Sequence, residues 1–576
     1  MASETSSNGG TRDSVRALAE KPHARVLIIG GGINGISTFR DLALQGVDVT
    51  IIERDDWCSG ASSASSHMIH GGIRYLENGE FRLVRESVQE RNGLVKIAPH
   101  YVKPLETTVP IFSTFSGILS APLRFLTHKQ GKPTERGAFL IKIGLMMYDS
   151  FSRDGGTVPR HTFRGRSASL KQHPAFNPDL KYTATYYDAS VHDPERLALD
   201  VLRDGISAGP HARAANYVEA VGFDNGGVTL RDNATGETFS MTADIIVNAS
   251  GPWTDLTNRA LGQSTTYMGG TKGSHIVLDN PELLEATGGN EIFFEHEDGR
   301  IVLIYPLKGR VMVGTTDINA DPAEPAICTE DEVDYFFDLV NHVFPDVAVD
   351  RSQIVYRFSG IRPLPGHGDT QPGFVSRDYR IVPSDLDGTP MLSLVGGKLT
   401  TFRALGEQLG DDVLERIGAQ RTVSTAGLPI GGGREYPTTD AARTTWLAAH
   451  SDSVSRRRAD VLLERYGTRA ASVIDELDAT SDTPLQNAPD YSREEIAYLV
   501  RTEQVVHLID VLKRRTSLAF TGQVTDDLLD ELTPLVAAEL HWGTAKAAEE
   551  RDAAARILRD AHGVALSGRR ETPTPA

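Results

Sequence analysis

Arg25-Val26-Leu27-Ile28-Ile29-Gly30-Gly31-Gly32-Ile33-Asn34-Gly35 is the stretch that decides the fold. Its first half is a short, uninterrupted apolar run, the pattern of a parallel strand buried on both faces. The run ends in glycines at G-x-G-x-x-G spacing and opens into a helix-like stretch over 33–46, which Gly46 is placed to stop. A second apolar strand follows over 47–52 and ends at Glu53, 23 residues past Gly30. Strand, helix and strand within about thirty residues make a βαβ crossover. In such a unit Gly30, Gly32 and Gly35 let backbone N–H groups approach a pyrophosphate, and the helix N-terminus adds partial positive charge. A carboxylate at Glu53 accepts hydrogen bonds from an adenosine ribose. The unit predicts a bound dinucleotide, either FAD or NAD.

Just downstream, residues 61–76 carry Ser62, Ser63, Ser65 and Ser66, then His67, Gly71, Gly72, Arg74 and Tyr75. The hydroxyls can donate to phosphate or ring oxygens, and paired glycines let backbone pass close to a flat ligand. On composition alone the same stretch reads equally as a flexible polar loop. Further on, His275, Arg362, Arg377 and Lys398 each stand beside glycine or a short polar residue. Taken singly, each reads as an ordinary surface charge; their setting is what marks them, because backbone can come close to a ligand there. Gly396-Gly397 before a helix-like stretch from Leu399 turns a helix N-terminus toward an anion. Residues 245–251 form an apolar strand ending in small residues at Gly251, and alternating runs over 265–360 predict an antiparallel sheet. After about Gly433, alanine, arginine, glutamate and leucine at helical spacing predict long helices over 492–520 and 526–562.

A chain of 576 residues is too long for one core. Its 40% hydrophobic and 24% charged residues exclude wholesale disorder, and its net charge of −18 argues against a nucleic-acid coat. Cys58 and Cys328 stand far apart, so a disulfide framework is not expected and a reducing compartment fits. The first 23 residues are polar, with no apolar signal segment, and read as a disordered lead. No run of eighteen apolar residues occurs, so no spanning helix is expected. One segment does suit a membrane surface. Over 112–148, Arg124, Lys129, Lys132, Arg136 and Lys142 oppose only Glu135 and alternate with large apolar residues, for a local charge of +4. A core helix beneath a basic, solvated loop has the same pattern.

The ordered strings 30–46, 62–77, 81–87, 141–150, 248–253, 272–277, 313–317, 359–364, 376–379 and 396–403 resemble the FAD-dependent, respiratory glycerol-3-phosphate dehydrogenases of bacterial type. The resemblance runs over nearly the whole chain and resolves the dinucleotide as FAD. It implies an α/β fold: a glutathione-reductase-like, Rossmann-type FAD-binding domain, an antiparallel-sheet substrate domain and a C-terminal all-α domain. The division it implies is a disordered lead over 1–23; a discontinuous FAD domain over 24–110, 185–260 and 360–410; a substrate-binding, membrane-facing domain over 111–184 and 261–359; helices over 433–566; and a tail over 567–576. Gly30, Gly32, Gly35 and Glu53 would bind the ADP half of FAD, and Ser62, Ser63, Ser65 and Ser66 would line the pyrophosphate and flavin. Gly251 would close the strand near the adenosine, with Gly397, Leu399 and Thr400 at the pyrimidine edge of the flavin. Arg74, Tyr75, His275, Arg362, Arg377 and Lys398 would form the substrate pocket.

The implied reaction oxidises sn-glycerol 3-phosphate to dihydroxyacetone phosphate by hydride transfer from C2 to flavin N5, with electrons passed to a membrane quinone. Arg362 and Arg377 suit the phosphate, and His275 or Lys398 the base that takes the hydroxyl proton. The implied location is the cytoplasmic face of the plasma membrane, against anionic lipid, with homo-oligomers allowed and no metal or nucleic acid. The rival readings are an oxidase of the same substrate that uses oxygen, a flavoprotein of the amino-acid-oxidase type, and a non-catalytic, membrane-bound flavoprotein that senses redox state; the cations Arg74, His275, Arg362, Arg377 and Lys398 argue against the last, since a sensor needs no phosphate pocket. Two departures stand out: the family commonly has lysine at His67 and threonine at Ser250. No calcium-loop pattern occurs in the C-terminal region.

Overall fold

The computed structural model describes residues 12–72, 81–113, 141–142, 144–146, 148, 159–296, 299–366 and 378–567. The strand His23–Ile29 lies between Val49–Ile52 and Thr238–Asn248 and pairs parallel with both. Ala212–Ala215 extends the parallel order on one side and Thr389–Val395 on the other. Arg380–Leu386 closes that edge as an antiparallel hairpin, and Gly227–Asp232 and Val218–Asp224 pair off the start of Thr238–Asn248. Parallel neighbours need a crossover, and the helix Ile33–Leu44 supplies it between the first two strands. Ile36, Phe39 and Leu42 are fully buried in the same core as Val26 and Ile28. A second helix, Phe402–Arg416, crosses the first closely: a Cβ on Gly406 would lie 2.4 Å from Ser37 Oγ.

The second sheet is chiefly antiparallel. Met268–Leu278 pairs with Arg310–Gly314 and Ile354–Pro365, Ile301–Leu307 with Glu291–Glu295, and Val102–Ile111 with Tyr182–Val191. Glu291–Glu295 meets Val102–Ile111 in parallel and joins these parts. The helix Glu330–Val343 covers one face through Val333, Phe336 and Leu339, and a capping box between Thr329 and Glu332 fixes its start. A third core lies in the C-terminal helices and runs on into the second sheet through Val355, Tyr356 and Phe358. Cys58 and Cys328 are buried in two different cores, which keeps the thiols apart.

The structure corrects three expectations. The polar lead holds a helix, Asp13–Glu20, whose Val15 and Leu18 are buried against Leu27, Ile52 and Ala215. Two large apolar residues in eight are a weak sequence signal, and the docking surface is supplied by distant strands. Val102–Ile111, Tyr182–Val191 and Ile354–Pro365 all belong to the second sheet, so 102–110, 185–191 and 360–365 depart from the expected cofactor domain. Pairing partners some eighty residues apart leave no local mark. The long C-terminal helices are each broken. The first becomes Arg493–Thr502, Leu508–Asp510 and a π turn over Val511–Arg515, and the second becomes Asp526–Glu539 and Thr544–His562. Gln504 and His541 adopt φ of 50° and 55°, which a continuing right-handed helix excludes.

Most of the segment expected at a membrane surface lies outside the described residues. Of its described part, Leu145 and Tyr148 are buried with Val84, Val88, Ile111 and Tyr186, while Met146 is exposed. Among the described residues no helix is long and apolar enough to cross a membrane.

Candidate active site

A groove opens at the carboxyl ends of the parallel strands, between the glycine turn, the loop 54–62, Val218–Ala220 and the turn 249–253. It encloses about 970 Å³ of space that is open to solvent. Each glycine of the turn has its own reason. Gly30 adopts φ +118°, and a Cβ there would lie 2.6 Å from Ala249 O. On Gly35 a Cβ would strike Gly30 O at 2.0 Å, so helix and strand touch backbone to backbone. Gly32 has φ −75°, and among the described residues a Cβ there would meet only Ser62 Oγ, at 3.4 Å. Gly32 is therefore the glycine whose open face belongs to the groove.

Ile33 N, at the start of the helix, donates to Ser62 Oγ at 2.9 Å. Asn34 Oδ1 is buried with no hydrogen-bond partner, and Asn34 Nδ2 lies against Gly397, where a Cβ would come within 2.6 Å. Glu53 accepts from Gly31 N at 2.6 Å and from Asp55 N at 3.0 Å. Burial pushes its carboxyl up to about 7, and the two backbone donors oppose that shift. Gly251, at φ +62°, begins the turn Gly251–Trp253 that forms another wall. The Arg54 guanidinium lies 4.6 Å from the Trp253 ring. Asn34, Trp253 and Val218–Ala220 were not among the expected site residues; Asn34 and Trp253 lie within strings that carry the resemblance, whereas Val218–Ala220 belongs to a strand with no local motif.

The serine loop continues toward the second sheet. Ser63 Oγ donates to Gly60 O at 3.1 Å, and Ser65 Oγ accepts from His67 N at 3.2 Å. Ser66 Oγ shares a 2.9 Å hydrogen bond with His275 Nε2. A Cβ on Gly360 would lie 2.4 Å from Ala64 Cβ, so the loop is pressed onto the strand Ile354–Pro365. Thr400 Oγ1 donates to His70 O at 3.3 Å. Leu399 opens a 3₁₀ turn, Leu399–Thr401, ahead of the helix, where a helix start at Leu399 was expected.

His275 is 2% exposed, stacked on Phe358 at 4.8 Å and 10°, and its Nδ1 is buried without a hydrogen-bond partner. Burial first, then the Arg362 charge, holds its imidazole well below the usual 6.5, so the ring is neutral at pH 7. The strand register sets Arg362 opposite Thr271 and Phe358 opposite His275, which places His275 and Arg362 on one face of the sheet. Arg362 donates to Asp317 Oδ1 at 2.9 Å, Thr315 Oγ1 at 3.0 Å and Thr316 O at 2.9 Å. Lys398 Nζ donates to Ser87 Oγ at 2.6 Å, in the helix Phe81–Ile97. His67 is buried at φ 55°, with Nδ1 3.2 Å from Val191 O and its ring 5.2 Å from Phe520. Burial pushes His67 down to about 4, so it carries no charge where the family commonly has a lysine. Arg74, Tyr75 and Arg377 lie outside the described residues.

Residues 25–401 match the family described as FAD dependent oxidoreductase, and residues 423–547 match the C-terminal domain of alpha-glycerophosphate oxidase. A glycerol-3-phosphate dehydrogenase of Synechocystis sp. is 32% identical over 531 residues, covering 87% of this chain and 89% of its own. A D-erythritol 1-phosphate dehydrogenase of Brucella abortus is 34% identical over 517 residues, covering 87% of this chain and 95% of its own. Among solved structures, the glycerol-3-phosphate dehydrogenase from Bacillus halodurans complexed with FAD shares the fold, with a TM-score of 0.73 at 22% identity over 97% of this chain and 99% of that one.

Proposed function

The chain belongs to the family of FAD-dependent glycerol-3-phosphate dehydrogenases, and from that membership we propose that it oxidises sn-glycerol 3-phosphate to dihydroxyacetone phosphate and hands the electrons to a membrane quinone. The groove residues suit the cofactor. Gly32 leaves a face that a side chain would fill, Asn34 Oδ1 awaits a donor, and the helix Ile33–Leu44 points its N-terminus at the same space. FAD, when bound, supplies the acceptor for the C2 hydride. Gly30, Gly32, Gly35 and Glu53 hold its ADP half in this reading, and the serine loop with Gly397 to Thr400 holds the flavin.

The observation that carries the reading is a buried, neutral His275 bonded to Ser66 on the loop assigned to the flavin. A neutral imidazole can take the proton of the C2 hydroxyl at Nε2, directly or through the Ser66 hydroxyl. Phe358 stacks on the ring and holds its orientation. Arg362, on the same face, suits the near-dianionic phosphate, with Arg74, Tyr75 and Arg377 as further ligands. Lys398 is the alternative base. Anaerobic addition of glycerol 3-phosphate should bleach the flavin absorbance, whereas D-amino acids should not. An unbleached flavin would sink the proposal.

A second reading has specific support: the Brucella abortus relative, at 34% identity, is named for a four-carbon polyol phosphate. The same groups could serve D-erythritol 1-phosphate, and comparing the two substrates in the bleaching experiment decides between them.

Arg362→Ala should raise KM for glycerol 3-phosphate by about 2–4 kcal/mol in binding terms, with flavin content unchanged. Its guanidinium already meets Asp317, so the phosphate enters a site with a paired cation and the loss reports substrate contact. A variant that alters only the melting temperature would remove Arg362 from the substrate site.

Because quinone resides in the bilayer, peripheral attachment through 112–148 is part of the proposal. Changing Lys129, Lys132 and Arg136 to glutamate should abolish co-sedimentation with anionic vesicles at low salt. Binding indifferent to both salt and substitution would put the membrane contact elsewhere.

A further inference from the structure

The C-terminal helical module reaches the cofactor groove through a buried charge cluster. Asp56, three residues past Glu53, is fully buried. Its carboxylate accepts from Arg515 Nη1 at 2.6 Å and Nη2 at 2.9 Å, from Asn216 Nδ2 at 2.9 Å, and from Arg514 Nε. Arg514 and Arg515 lie in the C-terminal match, and Asp56 in the FAD dependent oxidoreductase match. Arg515 is itself anchored by two hydrogen bonds to Glu503 O, at 3.0 and 2.7 Å. The next residue, Trp57, is 1% exposed and donates Nε1 to Gln504 Oε1 at 2.9 Å. Its ring lies directly on the glycine turn: a Cβ on Gly31 would be 2.5 Å from Trp57 Cε3. Cys58 N also donates to Gly31 O at 3.0 Å.

We propose that Arg515 and Gln504 are positioning residues for FAD: by holding Asp56 and Trp57 they press the Gly30–Gly35 turn into the shape that receives the pyrophosphate, which makes the C-terminal module part of the cofactor site. The physical basis is the cost of an unpaired buried charge. Without Arg515, the Asp56 carboxylate is under-compensated in a dry environment and must move toward water. It then takes Trp57 with it and removes the support behind Gly31. This inference rests on the reading that FAD occupies the groove.

The test is FAD titration of the apoprotein, followed by flavin fluorescence, beside its melting temperature. Arg515→Met should raise the FAD dissociation constant at least about tenfold. Arg458→Met is the matched control. Arg458 donates to the buried Glu495 at 2.7 Å within the same module, and Asp482, Asp490 and Ser492, which it also meets, lie there too. It should lower the melting temperature and leave FAD affinity unchanged. Gln504→Leu removes the Trp57 partner, together with the Gln504 Nε2 bond to Ala214 O at 3.0 Å, without stranding a charge; it decides the matter if Arg515→Met fails to fold, and its FAD affinity should fall several-fold. Wild-type affinity in Gln504→Leu and Arg515→Met, or an equal loss in Arg458→Met, would overturn the positioning role and leave the functional reading intact. A wild-type apoprotein that takes up no FAD would overturn both.

Discussion

Replacing His275 by glutamine should lower kcat by about 10²–10⁴-fold, with flavin content intact and KM changed little. Glutamine keeps roughly the size of the ring and some hydrogen bonding toward Ser66, but it cannot accept a proton at neutral pH. The loss therefore falls on the step in which the hydroxyl proton leaves. The structure adds a pH signature. Burial, then the Arg362 charge, holds the folded His275 well below 6.5. The neutral, proton-accepting form is thus complete at pH 7 and is lost only as pH falls through that lowered value, so the acid limb of kcat/KM for the wild type should lie below 6.5. The limb should vanish in the glutamine variant. Single-turnover flavin reduction at near wild-type rate in His275→Gln would transfer the base to Lys398, which the structure holds on Ser87.

Gly32→Val should yield a folded, colourless protein, with FAD affinity reduced by at least about 10²-fold. The three glycines of the motif are not equivalent, and this makes the prediction sharp. Substitution at Gly30 or Gly35 would drive a Cβ into backbone at 2.6 or 2.0 Å, so fold and cofactor would fail together. Gly32 has an ordinary extended conformation at φ −75° and ψ 169°, which valine adopts freely. Among the described residues a Cβ there would meet only Ser62 Oγ, at 3.4 Å, so the valine branches would extend into the groove. The apoprotein should melt close to wild type while failing to take up flavin. Full flavin occupancy in the purified variant would remove the turn from the cofactor site.

Several site features could not be read from the chain. Arg362 was legible as a cation beside glycine, but its partner Asp317 was not, because the pair forms between a strand and a loop 45 residues apart. His67 read as a group titrating near neutrality; its burial beside Val191 and Phe520 keeps it uncharged. Lys398 was legible through Gly396-Gly397 and Ser87 lies in the string 81–87, but their hydrogen bond joins residues 311 apart and no local pattern pairs them. The breaks in the C-terminal helices were equally silent, since Gln504 and His541 are not residues that announce a left-handed conformation.

What the sequence by itself determined is the βαβ unit: strand, glycine turn, helix, strand and terminal Glu53, with the serine loop after it. All of that lies within about forty residues, where hydrogen-bonding geometry and residue spacing are tied by chain connectivity. Tertiary structure alone decided which of the three glycines faces the groove, the charge state of His275, and the hold of Arg514 and Arg515 on Asp56 across more than 450 residues. These depend on desolvation and on contacts between distant segments. Both arise only when the chain has folded, because burial sets the cost of a charge and the fold chooses its partner.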